Sequence, residues 1–164
     1  EDEESIGAWY SYYKGIESHV QLCNTLILTY RIDYNEYTGG AHGIYMSTFL
    51  NLDLKTLSPI RLDDLFEGDY KETLTDLLWK QLMADNNVGT RQALEDMGYA
   101  TTGNLEPIEN FYLAPTGITF YYNVYEIAPY VMGTTQITLS YEDIAPLMND
   151  EFITLSSAIK ADGK

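Results

Sequence analysis

Cysteine is nearly absent from this sequence, with Cys23 the single example. One thiol excludes an intrachain disulfide, a cysteine-built zinc site and a redox pair. It lies in Leu22-Cys23-Asn24-Thr25-Leu26, which reads as a strand, so a small buried residue is expected there. Histidine is as scarce: His19 and His42 are far apart and leave no paired-histidine metal helix. Positive charge is short as well. Lys+Arg 9 against Asp+Glu 25 gives 9 − 25 = −16. Phosphate recognition needs clustered Lys and Arg, so this balance argues against nucleic acid or anionic lipid as the main partner and suits a cationic partner, metal ions or plain solubility. No apolar run approaches the ~20 residues that span a bilayer, so no transmembrane segment is read. A glycine-rich phosphate loop and a serine nucleophile elbow are also missing, and no cofactor is implied.

What the sequence does hold is enough for one globular core: 164 residues, 45% of them apolar, with Tyr 15 the most unusual count. It opens on Glu1-Asp2-Glu3-Glu4, without an initiator Met or an apolar leader, and therefore reads as a mature or excised piece.

Residues 6–19, with Trp9, Tyr10, Tyr12, Tyr13 and Ile16, are expected to form a short aromatic helix or a lead-in segment. From Leu26 the pattern turns to period two. Leu26, Leu28, Tyr30, Ile32 and Tyr34 fall on one face and Ile27, Thr29, Arg31, Asp33 and Asn35 on the other. The alternation resumes after Tyr37-Thr38-Gly39-Gly40-Ala41-His42-Gly43, so 26–37 and 43–54 are expected as a long antiparallel hairpin. Ile60-Arg61-Leu62 reads as a brief strand and Asp63–Phe66 as a helical turn. Asp69-Tyr70-Lys71-Glu72 resembles a capping box, and Leu74, Leu77, Leu78 and Leu82 predict a helix over about 69–85. Arg91–Met97 reads as a short helix and 98–109 as loop. Strands are expected at 111–113, 118–122 and 136–139, and Ser140–Asp143 caps a short helix limited by Pro146. The fold class is α+β, an antiparallel sheet built on the long hairpin with one main helix packed on it.

Candidate chemistry centres on two loops. Gly39, Gly40 and Gly43 permit positive φ or close approach around His42. The histidine is then an acid–base group or ligand anchor, or it hydrogen-bonds across a hairpin connection. Asp63-Asp64 and Glu142-Asp143 stand at helix starts, where carboxylates cap free amides. Glu126 lies outside any clear helix start, between Tyr125 and Tyr130 in Tyr125-Glu126-Ile127-Ala128-Pro129-Tyr130. It marks an enclosed site or bonds to loop amides. The tyrosines fill the sheet faces or line a groove for sugar or protein.

These motifs carry a resemblance. Tyr37–Gly43, Asn51-Leu52-Asp53-Leu54-Lys55-Thr56, Leu62–Phe66, Phe111-Tyr112-Leu113, Phe120-Tyr121-Tyr122 and Tyr125–Tyr130, in this order, resemble the RsiV/PdaC-type C-terminal domain of unknown function. That domain occurs in a lysozyme-sensing anti-sigma factor and in a peptidoglycan deacetylase. The likeness covers roughly 22–148, and Val124 stands where the family has proline. It implies an extracytoplasmic domain, in the periplasm or at the cell surface and often lipid-anchored. It also implies residues 1–19 as the trailing end of a preceding α/β half and 20–164 as the domain proper. The family's uses make it a non-enzymatic binding or accessory module for a protein such as lysozyme or for peptidoglycan. Gly39, Gly40, His42, Tyr125, Glu126 and Tyr130 are its binding candidates here, with no catalytic or metal residue. The competing expectations are a wall-polysaccharide hydrolase using His42 and Glu126, and a purely structural lipoprotein domain.

Overall fold

A computed structural model describes residues 12–162. It is α+β, with antiparallel sheets and four helices. The first sheet runs in the order β1 (Tyr13–Cys23), β2 (Ile27–Tyr37), β3 (Ile44–Asp53) and β4 (Ser58–Pro59). The second holds β5 (Phe111–Ala114), β6 (Gly117–Tyr122) and β7 (Thr135–Ser140). Helix α1 covers Tyr70–Asp85, α2 Arg91–Met97, α3 Tyr141–Ile144 and α4 Asp150–Asp162.

The long hairpin forms as the alternation predicts, with Glu36 opposite Ile44 and Ile27 opposite Asp53. The expected aromatic helix does not. Tyr13–Cys23 is instead an edge strand paired along β2, from Tyr13 opposite Tyr37 to Cys23 opposite Leu28. Its Ile16, Ser18 and Val20 alternate at period two, and the ladder to β2 satisfies backbone groups that a lone helix would leave to water at its ends. Residues 6–11 of that expectation lie outside the described residues. Cys23 ends β1 and is exposed, against the expectation of burial. The strand stops there because Asn24 Oδ1 accepts from the amides of Leu26, at 2.8 Å, and Ile27, at 2.9 Å, turning the chain.

The second sheet carries the core. Phe111, Leu113, Ile118, Phe120, Ile137 and Leu139 share one face and are almost fully buried. Leu74, Leu78 and Leu82 of α1 pack there, with Phe152 and Ile159 of α4. Each fully buried leucine contributes roughly 1.5–3 kcal/mol. The main helix thus lies on this sheet and not on the hairpin. All six residues of β6 are buried, because its other face meets the hairpin: Phe49 packs on Tyr112 at 4.7 Å and on Tyr121 at 5.3 Å. Asp69 precedes α1 without a side-chain cap, whereas Ser140 Oγ does accept from Asp143 N at 3.1 Å.

Side-chain amides join the two sheets. β4 pairs only with Leu52 and Asp53, so among the described residues the middle of β3's outer edge lacks a strand partner. Asparagines take that place. Ser47 N donates to Asn123 Oδ1 at 2.7 Å, and Phe49 N donates to Asn110 Oδ1 at 3.0 Å. Asn110 Nδ2 donates to Ser47 O at 2.9 Å and to Tyr121 O at 2.8 Å. Lower down, Asn51 Nδ2 donates to Phe111 O at 2.8 Å and Asn51 Oδ1 accepts from Thr29 Oγ1 at 2.7 Å. Beside this clamp, burial pushes the Asp33 carboxyl up, but hydrogen bonds from Ser47 and Arg31, with the charges of Arg31 and His19, hold it below its ordinary value.

Removing one amide strands several backbone groups at once. Asn110→Ala is expected to cost about 2–4 kcal/mol, since each unpaired buried group costs about 1–3 kcal/mol. Urea unfolding should show a lower midpoint at unchanged slope. A loss below about 0.5 kcal/mol would mean that water replaces the amide and that the clamp is not structural.

Candidate functional site

The glycine loop and the 123–133 connection meet at one end of the molecule. Gly39 has φ +93° and Gly40 φ +101°, a region that L side chains enter at a cost. Tyr37 Oη donates to Gly40 O at 2.8 Å, closing the loop on its own stem. This geometry holds His42 flat against Tyr130, with ring centroids 3.8 Å apart and planes 9° from parallel. Tyr45 meets the same Tyr130 edge-on at 5.8 Å, and Tyr125 lies against it at 5.5 Å. Val131, 90% exposed, stands beside them. His42, Tyr45, Tyr130, Val131, Met132 and Gly133 line an open hollow of about 580 Å³.

Electrostatics suit a donor surface. Burial pushes the Tyr130 hydroxyl pKa up, and the Tyr45, Tyr125 and Tyr13 hydroxyls push it the same way. Like any tyrosine hydroxyl it is protonated at neutral pH and can donate.

The connection is held from within and from behind. Glu126 Oε2 accepts from Asn123 N at 2.7 Å, while Glu126 N donates to Asn123 O at 3.2 Å. Of its two expected roles, the carboxylate fills the one that ties down loop amides. The turn leaves Tyr125 at φ +70°, a backbone cost of about 1–3 kcal/mol for a bulky residue. Behind it, a Cβ on Gly103 would come 2.2 Å from Glu126 O, so the 98–109 loop supports this one only through a glycine.

The candidates from sequence fall into groups. His42, Tyr125 and Tyr130 come together as one ring cluster, with His42 stacked on Tyr130 and Tyr125 tilted against it, and Gly39 and Gly40 shape the loop that delivers His42. Glu126 neighbours the cluster in sequence, yet no hydrogen bond joins it to His42 among the described residues. Tyr45 is one of the tyrosines expected to fill a sheet face or line a groove, whereas Val131 and Met132 were missed. The available signal for these two was the apolar pair between Tyr130 and Gly133. A second groove of about 430 Å³ lies between Leu26, Ile60, Phe152 and Leu155. Two of its carboxylates are already engaged: Asp53 accepts from Lys55 N and Thr56 N, and Asp64 from Arg61 N.

Comparison with known proteins gives a family likeness without a function. The family model "Protein of unknown function (DUF3298)" matches residues 63–142. The chain is 62% identical to a DUF3298-family protein of Bacteroides fragilis of known crystal structure, over 96% of its own length, with a TM-score of 0.89. A DUF3298-family protein of Pseudomonas aeruginosa shares the fold at 17% identity over 86% of the chain, with a TM-score of 0.72. The chain spans 62% of the first of these proteins and 64% of the second, under two thirds of either. No curated protein matches the sequence.

Strain at Tyr125 predicts an ordering of variants. Tyr125→Gly should be about 1 kcal/mol more stable than Tyr125→Ala, because only glycine occupies positive φ without a Cβ penalty. Equal thermal midpoints for the two would show that the turn relaxes. Gly40→Val should lower the melting temperature by at least 2–4 °C, the shift for a loss of about 1 kcal/mol; a change within about 1 °C would mean that the loop does not hold the hairpin in register.

Proposed function

We propose that the chain is a DUF3298-family domain acting as a non-enzymatic, extracytoplasmic binding or accessory module, and that the ring cluster on the paired loops is its contact surface. The observation that carries this reading is His42 lying parallel to Tyr130 at 3.8 Å, with Tyr45 and Tyr125 packed around the same ring. Stacking spends the histidine's face on an aromatic neighbour. General acid–base chemistry would need its nitrogens within hydrogen-bond reach of a second polar group, and Glu126 is occupied by its own loop. Rigid aromatic rings beside an exposed apolar tip are instead the composition of binding hot spots.

The partner we favour is a basic protein such as lysozyme. A chain of formal charge −16 attracts a cationic partner and speeds its encounter, while the rings supply short-range anchors. The resemblance to the RsiV/PdaC-type domain points the same way and supports a periplasmic or surface location with a lipid anchor. No helix among the described residues is long and apolar enough to cross a membrane. A wall glycan is the second reading, because flat tyrosine faces also stack on sugar rings.

Lysozyme binding at roughly 0.15 M salt separates these readings, since charges further apart than about 8 Å are then screened. Binding should persist there, and Tyr130→Ala should weaken it at least 10-fold, as expected for loss of a hot spot of about 2 kcal/mol. Complex formation that vanishes at this salt reduces the interaction to bulk charge. Binding of peptidoglycan fragments without lysozyme binding moves the assignment to the glycan.

A further inference from the structure

The groove at the other end of the hairpin joins an apolar interior to an acidic rim. It forms where the turn after β3, the first turns of α4 and Leu26 at the head of β2 meet. Leu65 and Phe152 lie buried at its base, while Leu26, Ile60 and Leu155 are partly open to solvent. Its volume of about 430 Å³ falls within the roughly 300–1,000 Å³ of ligand clefts. Four carboxylates, of Asp53, Asp64, Asp150 and Glu151, stand against the single cation Lys55.

Local structure accounts for only part of this charge. Asp53 Oδ1 accepts from the amides of Lys55 and Thr56, and Asp64 Oδ2 from that of Arg61. Among the described residues the second oxygen of each takes no hydrogen bond. Asp150 and Glu151 suit the positive end of the α4 dipole, yet the cap itself is Asn149, whose Oδ1 accepts from Phe152 N at 2.9 Å. No ion pair neutralises any of the four among the described residues. The turn that supplies Lys55 and Thr56 ends on Leu57, held at φ +57° and 75% exposed. Leucine enters that region at a cost, and here the strain keeps an apolar side chain in water next to the groove.

We propose that this groove seats a short, extended, basic segment of a partner protein, with an apolar side chain inside and lysine or arginine on either side. The interior selects the apolar part, which leaves water on entry. The rim selects the sign of the flanking charge. Their spread selects a chain over a single ion: among the described residues no three acidic, histidine or cysteine side chains are grouped to hold a metal. Lysine and arginine stems also lie well on apolar walls while their charged ends reach carboxylates. The formal charge of −16 draws such a segment in. The site goes beyond the ring cluster and does not depend on it. Hairpin pairing runs from Glu36 opposite Ile44 near the rings to Ile27 opposite Asp53 here, a distance of about 30 Å at about 3.4 Å per residue.

The probe is a short capped peptide alternating lysine and leucine, followed by nitrogen-15 amide shifts at roughly 0.15 M salt. Shifts should saturate and concentrate at residues 53–58 and 150–155, leaving the ring loops at 37–45 and 123–133 unmoved. Asp150→Asn with Glu151→Gln should raise the Kd at least about 5-fold. Glu95→Gln with Asp96→Asn removes the same charge from α2, outside the groove, and should change it by less than about 2-fold. Peptides with serine for leucine, or glutamine for lysine, should each bind the parent protein at least about 5-fold more weakly, a comparison that needs no variant. Shifts centred on the ring loops, equal losses in both double variants, or no saturation up to about 1 mM peptide overturn the proposal. An aliphatic diamine that binds as tightly as the peptide also overturns it, and assigns the groove to small amines.

Discussion

The outer edge of β3 has to be satisfied, and the structure is arranged around how that is done. A strand edge presents a row of donors and acceptors that cannot be buried unpaired. β4 is too short to serve, so Asn110 and Asn123 offer side-chain amides as substitutes for a neighbouring backbone. An asparagine amide carries both a carbonyl and an NH₂, and can mimic a peptide unit at a position no strand reaches. The substitution lets two sheets join at an edge while Phe49, Tyr112 and Tyr121 pack beneath. It also places the start of the 123–133 connection against β3, which brings Tyr130 to the glycine loop. The ring cluster is thus a by-product of edge satisfaction as much as of its own contacts.

How far this was legible in the sequence depended on the range of the signal. Period-two alternation identified β2 and β3 to within a residue or two, and leucine spacing identified α1, because both patterns are read within one element. β1 was misread since Tyr12, Tyr13 and Ile16 also sit at helical spacing and both sides of the strand hold apolar residues. α4 went unread: Phe152, Leu155 and Ile159 keep a helical interval, but Ile153, Thr154, Ser156 and Ser157 weaken the propensity around them. The asparagine clamp left no local trace. Asn110 and Asn123 look like turn residues, and their partners lie up to 76 residues away.

The candidate site divides the same way. Glycines around His42 announced a bent loop, and positive φ at Gly39 and Gly40 agrees. That His42 would lie on Tyr130 rather than beside Glu126 is a three-dimensional fact without a sequence signature. The family model, which matches residues 63–142, covers α1 and the second sheet but not the glycine loop. It takes in the Tyr130 half of the cluster and leaves out the His42 half.

The spans of the clamp bonds have a further consequence, for the order of assembly. The β2–β3 hairpin closes over the short loop of residues 38–43 and can form early, whereas the bonds from Asn51, Asn110 and Asn123 bridge 60, 63 and 76 residues. Contacts of such separation form only after long loops have closed, so docking of the two sheets is expected as a late step of folding. Interactions made after the transition state change the rate of unfolding and leave that of folding nearly untouched. The asparagines would then act as a latch: they set how long the assembled protein lasts and not how quickly it is made, which the unfolding limb of a denaturant-dependent rate plot would register.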